Sequence, residues 1–249
     1  MIALLFTATM IASPVSAADK YRAGLESRAD AVEARLHFLL AAEEFERAWN
    51  AGERTPEIAR NMAQSRFLAG DLGRAIRDYR RGLRMAPHDR ELQQGLNAVR
   101  EQAADRASSL VPNEAQFLPV RGVSWYRLAW GAIALSAIGW FNLVRGWKAS
   151  RRGLLGVGLG TILVASAIGG WLGCEDYRLR LHWAEPTAVV VSATDLRSGN
   201  SEEYPRRLDV RLPAGTELRV LGERGGWLQV ELPDGTPGWM SSSFVVEVD

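Results

Sequence analysis

The residues most able to bind a metal or attack a substrate are few in this chain and lie far apart. They are His37, His88, His182 and Cys174, within 249 residues. A zinc site needs several such ligands at close spacing, and an intramolecular disulfide needs a second cysteine. The motifs of serine hydrolases, zinc proteases and nucleotide-binding loops have no counterpart in a fitting context. We therefore expect no catalytic residues, no cofactor and no metal site.

A short basic segment separates two apolar segments in the middle of the chain. Residues 128–144 and 154–173 contain no charged side chain. Four cations lie between them: Arg145, Lys148, Arg151 and Arg152. Segments of this kind are typical of helices that span a bilayer. Buried helices of a soluble core are the alternative, which the tryptophans near the segment ends disfavour. We expect transmembrane helices at 125–146 and 154–173, joined by a loop at 147–153.

The position of the positive charge sets the expected orientation. Short basic loops stay in the cytoplasm, so these four cations are the topology-setting residues and the helices form a hairpin. Residues 1–18 are typical of a signal peptide cleaved after Ala17 or Ala18, although the positive n-region is missing and an uncleaved anchor is the alternative. Both features predict a multi-pass protein of the bacterial inner membrane with its soluble domains in the periplasm. We therefore expect contact with the lipid bilayer and no binding of nucleic acid.

Small residues recur at four-residue spacing in the second apolar segment. The pairs are Gly156/Gly160, Ser166/Gly170 and Gly169/Gly173. Such spacing lets helix backbones approach closely. We expect these pairs to lie where the two apolar helices meet.

The N-terminal region contains an internal repeat. Segments 41–53 and 75–89 superimpose at an offset of 34 residues, which matches Ala41 with Ala75 and Phe45 with Tyr79. The offset is the period of the tetratricopeptide repeat (TPR). The unit at 56–87 resembles that family through small, turn, aromatic and proline positions: Ala63, Gly70, Ala75, Tyr79, Gly82 and Pro87. The resemblance implies an α-helical TPR solenoid over residues 19–105. Because about three units are needed for stability, a partner could complete the stack.

The TPR resemblance also implies a peptide-binding groove. Arg60, Gln64 and Phe67 would line it, although Phe67 in the core and Arg60 in solvent is the alternative. The trailing helix carries a row of arginines: Arg77, Arg80, Arg81 and Arg84. Spacing of three and four places them together. Such a row favours a solvated face, with an acidic partner or anionic headgroups as the sharper alternative.

The C-terminal region has the alternating pattern of short strands. Linkers are expected at 106–124 and 174–186, and apolar and polar residues alternate from Thr187 onward. Residues 187–249 resemble bacterial SH3-like domains, which implies a small all-β barrel. The segments that carry the resemblance are 196–199, 213–216, 226–228, 238–240 and 244–245. Trp239 is a candidate peptide-binding residue, and Trp227 is expected in the barrel core or rim.

The order of these parts predicts a multidomain membrane protein. Signal, TPR, basic-looped hairpin and SH3-like domain together resemble the BatE-like proteins of Bacteroides aerotolerance (Bat) operons. That resemblance implies a non-enzymatic membrane scaffold or adaptor, with Bat-type von Willebrand factor A membrane proteins as partners. The alternative is a protein that binds peptidoglycan or senses envelope stress.

Overall fold

The structure is a computed structural model that describes residues 14–107, 125–148, 152–185 and 187–248. These residues form two compact units. The first unit combines the N-terminal region with the C-terminal region from Trp183 onward, and the second runs through the apolar segments to His182. The two soluble regions, which we expected to be separate domains, therefore belong to one folded unit.

Five helices form the N-terminal part of the first unit. They are α1 (Pro14–Glu26), α2 (Ala31–Asn50), α3 (Pro56–Leu68), α4 (Leu72–Met85) and α5 (Arg90–Ala107). Consecutive helices pack against each other along the chain. The first unit is thus mostly helical, and its helices stack in sequence order.

Local sequence explains where these helices begin and end. Thr55 and Asp71 accept hydrogen bonds from backbone N–H groups in the first turns of α3 and α4, where those groups lack helical partners. Gly70 has a φ of 80°, a left-handed conformation that lets the chain turn between α3 and α4. Helix α4 ends at Met85, just before Pro87, whose ring cannot continue a helix.

The residues matched by the 34-residue offset lie at buried positions. Ala41 and Ala75 are fully buried, and Phe45 and Tyr79 are nearly so. A methyl group at Gly82 would lie 2.7 Å from the side chain of Leu92, so Leu92 of α5 packs closely against α4 at this glycine. The apolar periodicity of the sequence therefore corresponds to the faces that pack together.

A five-stranded antiparallel sheet follows. Its strands are β1 (Thr187–Val190), β2 (Glu217–Arg224), β3 (Trp227–Glu231), β4 (Pro237–Ser241) and β5 (Val245–Glu247), in the order β4-β3-β2-β1-β5. One face encloses an apolar cluster: Ala188, Val190, Leu196, Leu212, Leu218, Leu228, Val230, Leu232, Met240 and Val245. The period-two pattern thus divides core residues from outward residues along β3 and β4, whereas β1 is buried on both faces.

The outer face of β1 packs on helices α4 and α5. Val189 and Val248 belong to the same buried cluster as Ile76, Leu83 and the apolar face of α5. The backbone of α4 comes so close that a methyl group at Gly73 would lie 2.4 Å from the carbonyl oxygen of Val190. The sequence left open whether a partner completes the helical stack. In the structure, the chain's own C-terminal sheet covers this end of it.

The second unit consists of α6 (Trp125–Lys148) and α7 (Arg152–Ala184). Among the described residues, α7 is the helix that is long and apolar enough to cross a membrane by length and composition. A second membrane span in α6 stays a prediction. Residues 174–184, which we expected to be a linker, continue α7 without a break.

Helices α6 and α7 meet at glycines other than those we expected. A methyl group at Gly158 would lie 2.8 Å from the carbonyl oxygen of Gly139 and the amide nitrogen of Leu143. Methyl groups at Gly156, Gly160 or Gly169 would meet no described heavy atom within 4 Å. The expectation that those three glycines lie at the contact is therefore wrong. Gly156 and Gly160 are each about 200° around the helix from Gly158, whereas Gly169 shares its face but lies about 16 Å further along the axis.

Two expected segments fall partly outside the described residues. Of the expected signal peptide at 1–18, residues 1–13 are not described, whereas α1 begins at Pro14 and Ala17 packs against Phe45 and Met62. Of the expected linker at 106–124, residues 106 and 107 end α5 and the rest is not described.

Candidate functional site

Glu217 is the central charged residue where the sheet packs on the helices. It begins β2, and its carboxylate accepts hydrogen bonds from Arg100 Nε at 2.5 Å and Arg100 Nη2 at 2.9 Å. Arg80 Nη1 donates to the same carboxylate at 2.5 Å, and its Nη2 donates to Thr187 Oγ1 at 2.9 Å. One carboxylate from the sheet thus joins two guanidinium groups from α4 and α5.

The electrostatics of this cluster favour the ionised carboxylate. The Glu217 side chain is 18% exposed, and the Arg80 side chain is 7% exposed. Burial alone would raise the pKa of Glu217, but the charges and hydrogen bonds of Arg100 and Arg80 outweigh it and lower the pKa to about 2. The contact is therefore fully charged at neutral pH, and we call it the Glu217 clamp.

Other residues of α4 extend the junction. Arg84 Nε donates to the backbone carbonyl oxygen of Trp183 at 2.8 Å. The guanidinium carbon of Arg80 lies 5.3 Å from the centre of the Trp183 ring, within the range of a cation–π contact. Trp183 is buried in the cluster that α4 and α5 share with the sheet. Helix α4 therefore contacts the start of the C-terminal region through polar and aromatic interactions.

The remaining arginines of α4 pair with acids of the helical region. Asp78, fully buried, accepts from Arg77 Nε at 2.8 Å and from Arg66 Nη1 at 2.7 Å. Arg77 also donates to Glu46 at 3.0 Å, and Arg81 lies 3.5 Å from Asp78. Our expectation of a solvated basic face on α4 is therefore wrong. Arginines 77, 80 and 81 are buried against carboxylates of the chain itself, since burial of a charge requires a partner.

Two aromatic side chains lie on the outward face of the sheet, on the strands β3 and β4 at the far end from β1. Leu228 and Met240 point into the core, so their neighbours Trp227 and Trp239 point outward and are half-buried. Trp227 pairs with Ser241 across the strands and Gln229 pairs with Trp239, which makes the two tryptophans diagonal neighbours on one face. They lie on β3 and on the edge strand β4.

The loop after β1 is joined to β4 and contains an exposed tyrosine. The backbones of Arg197 and Trp239 exchange two hydrogen bonds of 2.8 Å. The Arg197 guanidinium donates to the carbonyl oxygens of Glu202 and Tyr204, which fastens the loop beside β4. Tyr204 is 48% exposed. We did not predict Tyr204 from the sequence, although it lies in the long segment between β1 and β2.

The comparisons with known proteins concern this sheet. Residues 192–246 match the protein-family model described as "Bacterial SH3 domain". A bacterial SH3-like domain is therefore present. Among solved structures, the chain is similar to the C-terminal SH3 domain of myosin IB from Entamoeba histolytica. The identity is 20% and the TM-score 0.20, over 26% of this chain and 95% of that one. No curated protein sequence gives a significant match.

The family match begins after β1, but Glu217 of β2 and Val246 of β5, which also contact the helices, lie within it. The outward tryptophans and Tyr204 lie within the matched part of the SH3-like domain. The face of β1 is covered by α4 and α5. The domain therefore uses the outward face of β1 and the start of β2 for the junction, whereas Trp227 and Trp239, its aromatic face, lie on β3 and β4 outside the helical region's core.

The three residues expected to line a groove share α3 but have different surroundings. Phe67 packs against the buried cluster of α4 and α5. Arg60 forms an ion pair with Glu91 of α5, and Gln64 is exposed. Peptide binding by these residues stays a prediction.

Three of the four cations that we expected to set the topology lie at the ends of the two apolar helices. Arg145 and Lys148 are exposed in the last turn of α6, and Arg152 begins α7. Arg151 lies outside the described residues. Within the described ranges, no group of three or more histidine, cysteine, aspartate or glutamate side chains could hold a metal ion. Cys174 is exposed as a free thiol.

Proposed function

We propose that this protein is a non-enzymatic scaffold of the bacterial inner membrane, which presents one composite interaction unit in the periplasm. The observation that carries the proposal is the packing of the SH3-like domain on α4 and α5 around the Glu217 clamp. Interaction domains that share a core act as one rigid body rather than as two tethered modules. A partner would therefore contact surfaces of fixed relative geometry.

The shared core also supports the membrane hairpin. Residues 14–107 and 183–248 pack together, so a chain that crosses a membrane between them must cross it an even number of times. Helix α7 is apolar enough to cross, and α6 would supply the second crossing. No acidic residue occurs between Glu114 and Glu175, and the cations near residue 148 favour a cytoplasmic tip.

The likeness of the helical region to TPR proteins supports protein partners. Stacked helix pairs present extended surfaces that bind segments of other chains. The resemblance to BatE-like proteins suggests that these partners are membrane proteins of the Bat type with von Willebrand factor A domains. We assign the contact to the aromatic face of the SH3-like domain, where Trp239 is half-buried, together with α3.

Site-specific photocrosslinking in cells tests the scaffold. A crosslinking residue near β4 should capture a discrete membrane-protein partner, and Trp239→Ala should abolish the capture. Leu221→Ala is the matched control, because Leu221 is exposed on β2 of the same domain. Equal capture by both variants would contradict the assigned face. Reporter fusions after residues 122 and 249 should both report the periplasm, and a fusion within 146–150 should report the cytoplasm.

A second candidate function is binding to the cell wall. The outward pair of Trp227 and Trp239 favours it, because aromatic rings can contact sugar and peptide faces. The full chain in detergent should then be retained on purified peptidoglycan, and Trp239→Ala should lower the retention. Absence of retention in the unmodified protein would remove this candidate and leave the scaffold in place.

A further inference from the structure

An open groove of about 360 Å³ lies along the last two turns of α6. Its lining residues are Phe141, Val144, Arg145 and Lys148. They occupy positions i, i+3, i+4 and i+7 of the helix and so form one stripe. Phe141 and Val144 are exposed although they are apolar.

The groove faces away from α7. Methyl groups added at Gly139 and Gly146 would lie 2.5 Å from Thr161 and 3.0 Å from Leu154, and one added at Gly158 would lie 2.8 Å from the backbone of Leu143. The contact with α7 therefore lies at Gly139, Leu143 and Gly146. Residues 141 and 143 are separated by about 200° around the helix axis, since each residue turns the helix by about 100°. The groove is therefore on the side of α6 that α7 leaves uncovered in the described part of the chain.

The groove is apolar at one end and positively charged at the other. The apolar residues come first, and Lys148 lies about 10 Å further along the axis than Phe141 at about 1.5 Å per residue. In a hairpin whose tip is cytoplasmic, Phe141 and Val144 lie at acyl-chain depth and the two cations at headgroup depth. Charged residues inside a span usually face the protein interior, so a lipid-facing pair of cations at a helix end fits a headgroup.

We propose that this groove binds an anionic phospholipid of the cytoplasmic leaflet. Arg145 and Lys148 contact its phosphate, and an acyl chain lies along Phe141 and Val144. Charge complementarity supports this occupant, because the chain offers cations and no acid from residue 115 to residue 174. The inference rests on the membrane hairpin proposed above.

The test uses the full chain in phosphatidylcholine nanodiscs with increasing fractions of phosphatidylglycerol, and native mass spectrometry counts the lipids that stay bound. At about fivefold per cation, Arg145→Gln/Lys148→Gln should raise the apparent dissociation constant for phosphatidylglycerol about 25-fold. Phe141→Ala should weaken the binding of phosphatidylglycerol without altering the net charge. Arg127→Gln, which removes a cation near the other end of α6, should change the affinity less than twofold.

Two results would overturn the lipid site. One is equal retention of phosphatidylcholine and phosphatidylglycerol by the unmodified protein, and the other is an equal effect of the double variant and Arg127→Gln. The reporter fusions described above separate this outcome from failure of the hairpin. Fusions that report the hairpin together with no lipid preference remove the lipid site alone, whereas a periplasmic report from the fusion within 146–150 removes both proposals.

Discussion

Replacing Glu217 by glutamine should weaken the packing of the SH3-like domain on the helices. The change keeps the shape of the side chain and removes its charge, so Arg80 and Arg100 lose their ionic partner. A pKa lowered from 4.5 to about 2 corresponds to roughly 3 kcal/mol in favour of the packed state. Removing one member of a buried ion pair costs about 3 to 5 kcal/mol in other proteins, which is consistent.

Hydrogen exchange of the full chain in nanodiscs measures this effect. Val189 and Val190 of β1 lie at the junction, and exchange of their amides reports opening of the packed state. A loss of roughly 3 kcal/mol lowers their protection by about two orders of magnitude at pH 7. Glu223→Gln is the matched control, because Glu223 is exposed on the same strand and should leave protection unchanged.

The pH dependence gives an independent check of the same reasoning. Because packing lowers the pKa of Glu217, its contribution is complete above the unperturbed value near 4.5 and is lost as the pH falls towards 2. The difference in protection between the unmodified protein and the Glu217→Gln variant should therefore be half as large, in free energy, near pH 3 as at pH 7 (about 1.5 kcal/mol). Equal protection in the Glu217→Gln and Glu223→Gln variants at pH 7, or a difference that is independent of pH, would refute the clamp.

Two further predictions concern glycines at helix contacts. Alanine usually stabilises a helix by about 0.5 to 1 kcal/mol relative to glycine. Gly73→Ala should instead destabilise the junction by about 1 to 3 kcal/mol, because its methyl group would lie 2.4 Å from a backbone oxygen of β1. The measurement is hydrogen exchange of the β1 amides, which should become faster. Unchanged exchange would contradict the contact. In α7, Gly158→Ala should lower the melting temperature of the full chain in detergent, and the control Gly160→Ala should not. Equal melting temperatures of these two variants would exclude the contact of α6 with α7 at Gly158.

Local features of the fold could be predicted because they depend on residues that are close together in the sequence. The turn at Gly70, the end of α4 before Pro87 and the alternation in β3 and β4 all follow from backbone preferences and periodicity. The segment 187–249 was assigned to a small barrel from the same signals, and the family match at 192–246 confirms an SH3-like domain there.

The contacts at the junction could not be predicted in this way. Glu217 lies 137 residues from Arg80 in the sequence, and no periodic signal connects them. A row of arginines on a helix has the same pattern whether its partner is water, a second protein or a distant strand of its own chain. The glycine contact at Gly158 was missed for a related reason, since several glycines of α7 have equivalent spacing and only three-dimensional packing selects one.

The buried arginines bear on two questions that the sequence left separate. One is what completes the helical stack. The other is on which side of the proposed membrane the two soluble regions lie. A guanidinium group stays buried only with an acceptor, and for Arg80 that acceptor belongs to β2. The C-terminal region must therefore reach α4 after residue 107, whatever the intervening chain does. This requirement excludes an odd number of membrane crossings between residues 107 and 183 for as long as the clamp is formed. Reporter fusions that placed the two soluble regions on opposite sides would contradict the clamp as well as the hairpin.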